Sequence, residues 1–516
     1  MVKISDLADR LKLELAWRRT KKDLRIKGFY YHPYELELID YNLDRWISNL
    51  RDKISSGYNP NVSEIIDVPK PYWHLRKGSI LNLEDSVVYS SLILDSIDEI
   101  KKGIDWSSQE VRLSNDITNS GGTDWTRPEI NGWSNFRDYS RELIEGGYDT
   151  VLFTDISSFY DTIEIPRLIS DIASFGVKKD NKELLQKCLN MWAHPKIIGI
   201  PQGFKPSDIL AEAYLNSIDK RLQNKGIIHL RYSDDMRIFC ENRDDAIDAL
   251  HHLTRLYREK GLNLQTSKSI ILEKDKAITE MNGHTKIIAK IKEDMAHNID
   301  PSMDPAEVYE TYEEDEEEID IDSLIDAFYE HVEPLISERF DKTVFHYVIN
   351  RFAKAKVTIA IDYCLKLILC QPRETKYILD KYFSVMDDKT TIGEELAKLL
   401  GEKKIRLDYQ KFLILKWLWE NNVFSKPIFE AVYQIIEEDP IHHINLDYCL
   451  AYIGRYGEDS DYDFVYTHYN KVERDISRAT ILIGIKEMEE GRRNSIYGPY
   501  KSNDFFKLAI EYAKNL

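Results

Sequence analysis

Two adjacent carboxylates, Asp234 and Asp235, stand between apolar flanks, Ile227-Ile228-His229-Leu230 before them and Ile238-Phe239-Cys240 after them. The flanks read as two short strands meeting at a tight turn, which sets the acids at a hairpin tip. Side chains alternate along a strand and a turn re-aims them, so one acid can point into a cleft while its neighbour supports it. Two bare carboxylates raise each other's pKa. A divalent cation removes that penalty, and Mg²⁺ is the hard ion that suits carboxylates together with substrate phosphates. An isolated Asp-Asp pair is a common solvated turn, but a further acid stands in a second apolar run, Val151-Leu152-Phe153-Thr154-Asp155-Ile156. Acids delivered by two separate strands can clamp two metals, the arrangement that stabilises the attacking and leaving oxygens of an in-line phosphoryl displacement.

The elements that must position these acids follow from pattern. After the Asp155 strand comes a helix. Then Ile198-Gly199-Ile200-Pro201-Gln202-Gly203-Phe204-Lys205-Pro206-Ser207 reads as a punctuated loop opening a helix from Asp208 to about Asn224, capped by Ser207 or Asp208. The hairpin is next, then a helix from about Asp244 to Lys260 and a strand holding Leu262-Asn263-Leu264, Lys268 and Ile270-Ile271-Leu272. This is an α+β pattern, a small antiparallel sheet backed by helices. Upstream, residues 5–27 read as one amphipathic helix with Ser5 as its cap and a basic end, followed by Tyr30, Tyr31 and Tyr34, whose rings could stack on bases or bury a rim. Trp73 to Asp85 reads as a strand ending at an acid, a helix follows from about Ser86 to Lys102, and 105–149 reads mostly as loop with a short helix near Phe136 to Ile144.

At 516 residues the chain can hold two or three domains. Residues 291–322 turn acidic and read as a linker. Beyond it the pattern is helical to the end, with Pro427 opening one helix, Thr391 and Glu394 forming a capping box for another, and Ile481 to Met488 running to a stop at Gly491. Successive amphipathic helices with short breaks suit the stacked pairs of a solenoid, although no sequence repeat is visible. The net charge of −19 argues against a broadly nucleic-acid-binding surface, so any such contact would be local and salt-sensitive. A charged amino terminus and interrupted apolar stretches point away from a membrane. Five scattered cysteines without Cys-x-x-Cys spacing point to a reducing cytosol and away from a zinc site.

With these residues in view, the first half resembles a reverse transcriptase. Asp155 with Asp234-Asp235 looks like that family's metal-binding set, and the resemblance adds the carbonyl of Ile156 as a ligand. Pro201-Gln202-Gly203 resembles the loop that lies along nucleotide and template, and Leu262-Asn263-Leu264 with Lys268 resembles the lysine-bearing strand near the triphosphate. Arg76 and Asp85 match the fingers pattern of a phosphate-contacting arginine followed by an acid, with Lys77 where a proline is usual and Ser86 where an arginine is usual. Tyr160 stands where the family carries its sugar-selecting aromatic. The nucleotide-binding residues implied are thus Arg76, Tyr160, Gln202, Gly203 and Lys268. An RNA polymerase of the same palm type would carry an acid at the Tyr160 position.

Arg-Tyr-Ser-Asp-Asp-Met-Arg-Ile-Phe, Asp-Ile-Ser-Ser-Phe-Tyr-Asp, Leu-Glu-Asp-Ser-Val-Val-Tyr and the helical tail together resemble the abortive-infection (Abi-type) and other defence-associated reverse transcriptases of bacteria. That likeness implies fingers and palm over residues 1–290, the acidic linker at 291–322, and an α-helical (HEAT-like) repeat domain over 323–516 in place of a thumb. It further implies a cytoplasmic homo-oligomer that uses dNTPs and Mg²⁺, with Mn²⁺ as a substitute. The product would be single-stranded DNA attached to a protein hydroxyl and made without an external template, in antiphage defence. Its rivals are templated cDNA synthesis on a bound non-coding RNA and a nucleic-acid sensor whose helical repeats carry the function.

Overall fold

The structure is a computed structural model that describes residues 4–27, 30–104, 111–118, 121–193, 196–282, 321–335, 340–437 and 440–516. The acidic run expected as a linker lies almost wholly outside these residues. The chain divides into two compact units. One comprises Met1–Lys27, Asn49–Ile65 and Gly78–Glu318, the other Gly28–Ser48, Ile66–Lys77 and Ile319–Leu516. This division differs from a serial cut at 290 and 322, because two segments of the amino-terminal part are grouped with the second unit.

The first unit opens with α1 (Ile4–Arg10) and α2 (Leu13–Lys27) where one helix from a Ser5 cap was expected. The chain leaves the helix at Leu11 and Lys12, between α1 and α2, and Leu11 and Leu13 are both buried. Next along the chain come α3 (Glu35–Tyr41), which belongs to the second unit, and α4 (Leu43–Ser55), β1 (Glu64–Pro69) and β2 (Leu75–Ile80), which the division between the units crosses; the two strands form a two-stranded sheet. The expected helix from Ser86 to Lys102 is two helices. These are α5 (Leu83–Asp95), capped by the Asn82 side chain, and α6 (Ile97–Ile104). The stretch expected to be mostly loop contains α7 (Glu129–Glu145), longer than the short helix foreseen there.

The palm-like core is a four-stranded antiparallel sheet in the order β4 (Ile228–Tyr232), β5 (Asp235–Cys240), β3 (Thr150–Thr154), β6 (Ile270–Glu273). Val151 and Leu152 are each fully buried, so β3 is covered on both faces, which is why it reads as a continuous apolar run. One face packs Val151, Leu230 and Phe239 against Phe136 and Ile144 of α7. Helix α12 (Arg243–Glu259) packs on β3, β5 and β6, and α13 (Lys274–Asn282) on β3 and β6. Between β3 and β4 run α8 (Phe159–Thr162), α9 (Ile165–Ser174), α10 (Lys179–Trp192) and α11 (Lys205–Asn224). Helix α11 starts at Lys205, three residues before the expected start at Asp208: Phe204 is its N-cap and Pro206 sits in the first turn, where its missing N–H costs nothing.

The second unit is helical apart from its share of the β1–β2 hairpin. Its larger helices are α14 (Ile321–His331), α15 (Lys342–Ala355), α16 (Ile361–Cys370), α17 (Lys389–Gly401), α18 (Asp408–Glu420) and α19 (Lys426–Ile436). They continue with α20 (His443–Tyr456), α21 (Asp459–Thr467), α22 (Asp475–Gly484), α23 (Glu490–Tyr500) and α24 (Asp504–Ala513). Helices two apart in sequence pack together, α18 on α20, α20 on α22 and α22 on α24, with α17 on α19 beside them, as in a stack of helix pairs. Where α20 meets α22 the backbones touch, for a Cβ on Gly454 would come within 2.5 Å of the Gly484 Cα. The expected capping box at Thr391 is replaced by Asp388, whose side chain accepts from the Thr391 N–H. The stop foreseen at Gly491 lies at Gly484, and Gly491 instead gives its N–H to the Glu489 cap of α23. Tyr30, Tyr31 and Tyr34 are buried in this unit. Tyr30 stacks on Phe412 at 4.3 Å, Tyr31 bonds Glu420 at 2.9 Å and Tyr34 meets Trp419 edge-on at 5.0 Å, so these rings pack and are not free for bases. All five cysteines are free thiols. Among the described residues no helix is long and apolar enough to cross a membrane.

Candidate active site

Strand register brings the acids together. Thr154 of β3 pairs with Met236 of β5, so the next position along each strand sets Asp155 opposite Asp235. On the other side of β5, Tyr232 pairs with Asp235, leaving Ser233 and Asp234 as a two-residue turn. Ser233 adopts φ 56°, a left-handed conformation that re-aims the turn. As a result Asp234 is turned toward Asp155, and Asp235 stays exposed at the strand mouth.

The electrostatics record this crowding. Burial, then the charges of Asp235 and Asp155, push Asp234 up to about 7, and Asp155 is close enough to hydrogen-bond it. Asp235 is raised by desolvation and by Asp155, against the opposing pull of Lys268 and Arg237. Lys268 places its Nζ 2.5 Å from Asp155 Oδ2, and the Asp155 bond heads the causes that raise its own pKa. A cation already sits against the all-oxygen set, the donor chemistry that suits a hard divalent ion. Two hydrogen bonds, Ser157 N–H to the Asn263 carbonyl and Gln265 N–H to the Asp155 carbonyl, flank the Ile156–Leu264 bridge. In that pairing the C=O of Ile156 points away from the 263–265 segment and is free to act as a ligand. Asp155, Asp234 and the Ile156 carbonyl thus fit a metal, with Asp235 beside them as support or partial ligand. The expected strand at Leu262–Leu264 is only this single bridge. Lys268 lies in a short 3₁₀ turn, Thr266–Lys268, before β6, because Gln265 takes the Lys268 N–H and the Ser269 hydroxyl.

Around the acids the loop residues assemble in part. Phe159 is buried and Tyr160 largely so. The Tyr160 hydroxyl donates to Asp208 Oδ1 at 2.8 Å, while its pKa is raised by burial and by the charges of Asp208, Glu212 and Asp234. The loop before α11 is pinned beside it: Ile200 N–H bonds the Tyr160 carbonyl and Gly199 N–H that of Ile163. Gly199 has φ 96° and a Cβ there would press on Asp161 backbone, so the close approach requires glycine. Gly203 follows with φ 101°, and the buried Oε1 of Gln202 has no hydrogen-bond partner among the described residues. Arg76 is exposed on β2 in the second unit. Asp85, its companion in the sequence pattern, is buried in the first unit, bonded by the Tyr58 hydroxyl and the Asn61 N–H, and pushed to about 6 by desolvation. Its part is to hold the 58–61 loop.

A second layer escaped sequence reasoning. Arg231, fully buried, bonds Asp219 at 2.6 Å, Glu212 at 2.7 Å and the Ser233 carbonyl at 2.9 Å. Burial would raise Asp219, yet the Arg231 charge overrides it and holds the carboxyl at about 2. Glu212 also accepts from Ser114 Oγ at 2.6 Å and Asn115 at 2.9 Å, and Ser114 Oγ accepts the Ser233 N–H at 2.7 Å. Backbone bonds between Arg231 and both Val111 and Leu113 add a further rung at the β4 edge. The Ser233 N–H is therefore tied to the 111–115 segment, and its carbonyl, through Arg231, to the acids of α11. The available signal was Arg231 itself, an arginine inside an apolar strand, which must find buried acids.

Residues 119–287 match the family model described as Reverse transcriptase (RNA-dependent DNA polymerase). The segment is a reverse-transcriptase domain, an RNA-directed DNA polymerase by family, and it contains every expected catalytic and nucleotide-binding residue except Arg76. No curated protein matches the chain. Among solved structures, telomerase from Candida albicans in complex with a TWJ fragment of telomeric RNA is similar at 12% identity, over 92% of this chain and 70% of that one, with a TM-score of 0.31. Apo telomerase from Candida tropicalis is similar at 11% identity, over 92% and 74%, with a TM-score of 0.32.

Proposed function

We propose that this reverse-transcriptase domain makes DNA from dNTPs with two Mg²⁺ ions held by Asp155, Asp234 and the Ile156 carbonyl, and that the protein serves antiphage defence by abortive infection. The observation that carries the polymerase reading is the contact of Asp155 with Asp234 at the end of β3, with Lys268 against Asp155. The metals would activate the attacking hydroxyl and neutralise the leaving pyrophosphate. The chain's own residues supply placement. Lys268 can shift from Asp155 to the triphosphate when a cation takes its place there, Gln202 offers its side-chain carbonyl, and Arg76 is the further phosphate contact that the sequence pattern implies. Support for the defence branch comes from the motif strings around Asp85, Asp155 and Asp234, followed by a helical unit. With them come a protein hydroxyl as primer, synthesis without an external template, a homo-oligomer and a cytoplasmic setting.

The test is incorporation of labelled dNTPs by purified protein with Mg²⁺ or Mn²⁺, with and without added RNA, followed by sequencing of the product and denaturing electrophoresis. Labelled DNA that stays on the protein without template is expected. Synthesis only on added RNA would replace this reading with templated cDNA synthesis, and no synthesis under any condition would remove the polymerase reading.

Sugar choice is placed on Tyr160. Its ring, pinned by Asp208 beside Asp234, would fill the space a ribose 2′ hydroxyl needs, so selection comes from a clash. Tyr160→Val or Tyr160→Ala is expected to admit rNTPs while retaining dNTP use. Tyr160→Phe, which loses only the Asp208 bond, should keep the selection. A pure packing role would instead cost about 3–5 kcal/mol and both activities. The rNTP to dNTP incorporation ratio is read on variants of unchanged melting temperature.

A further inference from the structure

Within the second unit a cavity of about 670 Å³ is lined by Tyr72, Trp73, Leu369, Lys403, Lys404 and Arg406, among others. Two aromatic rings are left in water here, Tyr72 at 75% exposure and Trp73 at 44%, whereas Tyr30, Tyr31 and Tyr34 of the same unit are buried. Their backbone is unusual as well. Tyr72 and Trp73 are consecutive non-glycine residues at φ 57° and 61°, a conformation that bulky side chains adopt only where the surroundings hold them to it. The hairpin turn thus pays strain to present rings instead of burying them. Across the cavity the cations come from the turn after α17. There Ile405 is buried and anchors the chain, and Lys403, Lys404 and Arg406 are exposed around it. Arg406 stands 5.9 Å from the Trp73 ring centre, and Lys404 pairs with Glu402 at 2.6 Å on the surface. The negative end of a helix dipole accounts for lysines after α17, but it does not account for two solvent-facing rings lining the same cavity.

We propose that this cavity binds single-stranded nucleic acid, with Tyr72 and Trp73 stacking on unpaired bases and Lys403, Lys404 and Arg406 neutralising the adjoining phosphates. Flat π-faces next to cations suit a single strand because every base has a face to stack, while a duplex hides its faces. Three cations gathered in a chain of net charge −19 mark the place where a polyanion can be held. The inference goes beyond the proposed synthesis and draws on it only for the expectation that the protein meets nucleic acid. Binding is therefore read without synthesis, so that failure of one leaves the other standing.

The full-length protein, without metal or dNTPs, is titrated into fluorescently labelled single strands of about 12 nucleotides, DNA and RNA of one sequence, and into the matching duplex, over a range of salt. The Tyr72→Ala, Trp73→Ala double variant should weaken single-strand binding at least fivefold with its melting temperature unchanged, and Trp73→Phe should restore most of the loss. The Lys403→Ala, Lys404→Ala, Arg406→Ala variant should lower the slope of log affinity against log salt by roughly 2, the value for three phosphates on a single strand. Tighter binding of DNA or of RNA assigns the strand to product or to template. Unchanged affinity and slope in both variants would overturn the proposal. So would a duplex held as tightly as the single strand, since stacking would then play no part.

Discussion

Asp234→Asn is expected to abolish DNA synthesis, a loss on the order of 10³-fold or more, and at the same time to raise the melting temperature of the metal-free protein. Both effects have one origin. The ionised carboxylate is held against burial and against the charges of Asp235 and Asp155, which push it up to about 7. Its unfolded value lies near 4. A carboxyl raised on folding leaves stability fullest below the unfolded value and loses it as pH rises toward the folded one. At pH 8 the wild-type fold therefore bears a cost on the order of 1–2 kcal/mol, allowing for partial exposure to water, and the neutral amide removes it. Adding Mg²⁺ should stabilise wild type by relieving the same repulsion and should stabilise Asp234→Asn far less. Thermal melts at pH 5 and pH 8, with and without Mg²⁺, read this independently of activity. A melting temperature that falls in the variant at pH 8 would mean the acid is structural. Asp155→Asn should abolish synthesis too, while also freeing Lys268 from its partner.

The second large effect is expected at Arg231. Arg231→Met leaves Asp219 and Glu212 buried without their cation and should cost about 3–5 kcal/mol, seen as a lower midpoint in urea unfolding. The Ser233 turn loses its anchor as well, so synthesis should vanish. The informative variant combines Arg231→Met with Asp219→Leu and Glu212→Gln. Replacing a buried ionic cluster with uncharged groups of similar volume tends to restore stability, but nothing in that variant holds the Ser233 carbonyl. Stability should return and synthesis should not. If synthesis returns with stability, the network serves the fold alone and does not position the acids. Asp219 also predicts an acid limit in wild type. A carboxyl held at about 2 contributes stability that is present above the unfolded value near 4 and is lost as pH falls from there toward 2.

By itself the sequence pointed to the acids that the structure brings together and to the short elements that deliver them. The runs around Asp155 and Asp234 are apolar because β3 and β5 are buried, and a two-residue gap between apolar runs can only be a turn. These are local properties, so Asp155, Asp234, Asp235, the Pro201-Gln202-Gly203 loop and the helical tail were legible. Local pattern also set limits. It made one helix of residues 5–27, where the chain leaves the helix at Leu11 and Lys12, and it opened α11 at Asp208, where Pro206 already sits inside the helix. Only the tertiary structure decided the partners. Glu212 and Asp219 read as ordinary polar positions of a helix until Arg231 is folded onto them, and Ser114 reaches the Ser233 N–H across 119 positions of sequence. Tyr160 finds Asp208 in the same way, and Lys268 finds Asp155. Tyr30 and Trp73 could not be told apart by type, yet one is packed under a helix and the other stands in water on a strained turn. Periodicity along a chain reports which face of an element is buried. Which charge meets which acid, and which ring meets solvent, depends on segments far apart in sequence, and no local pattern encodes it.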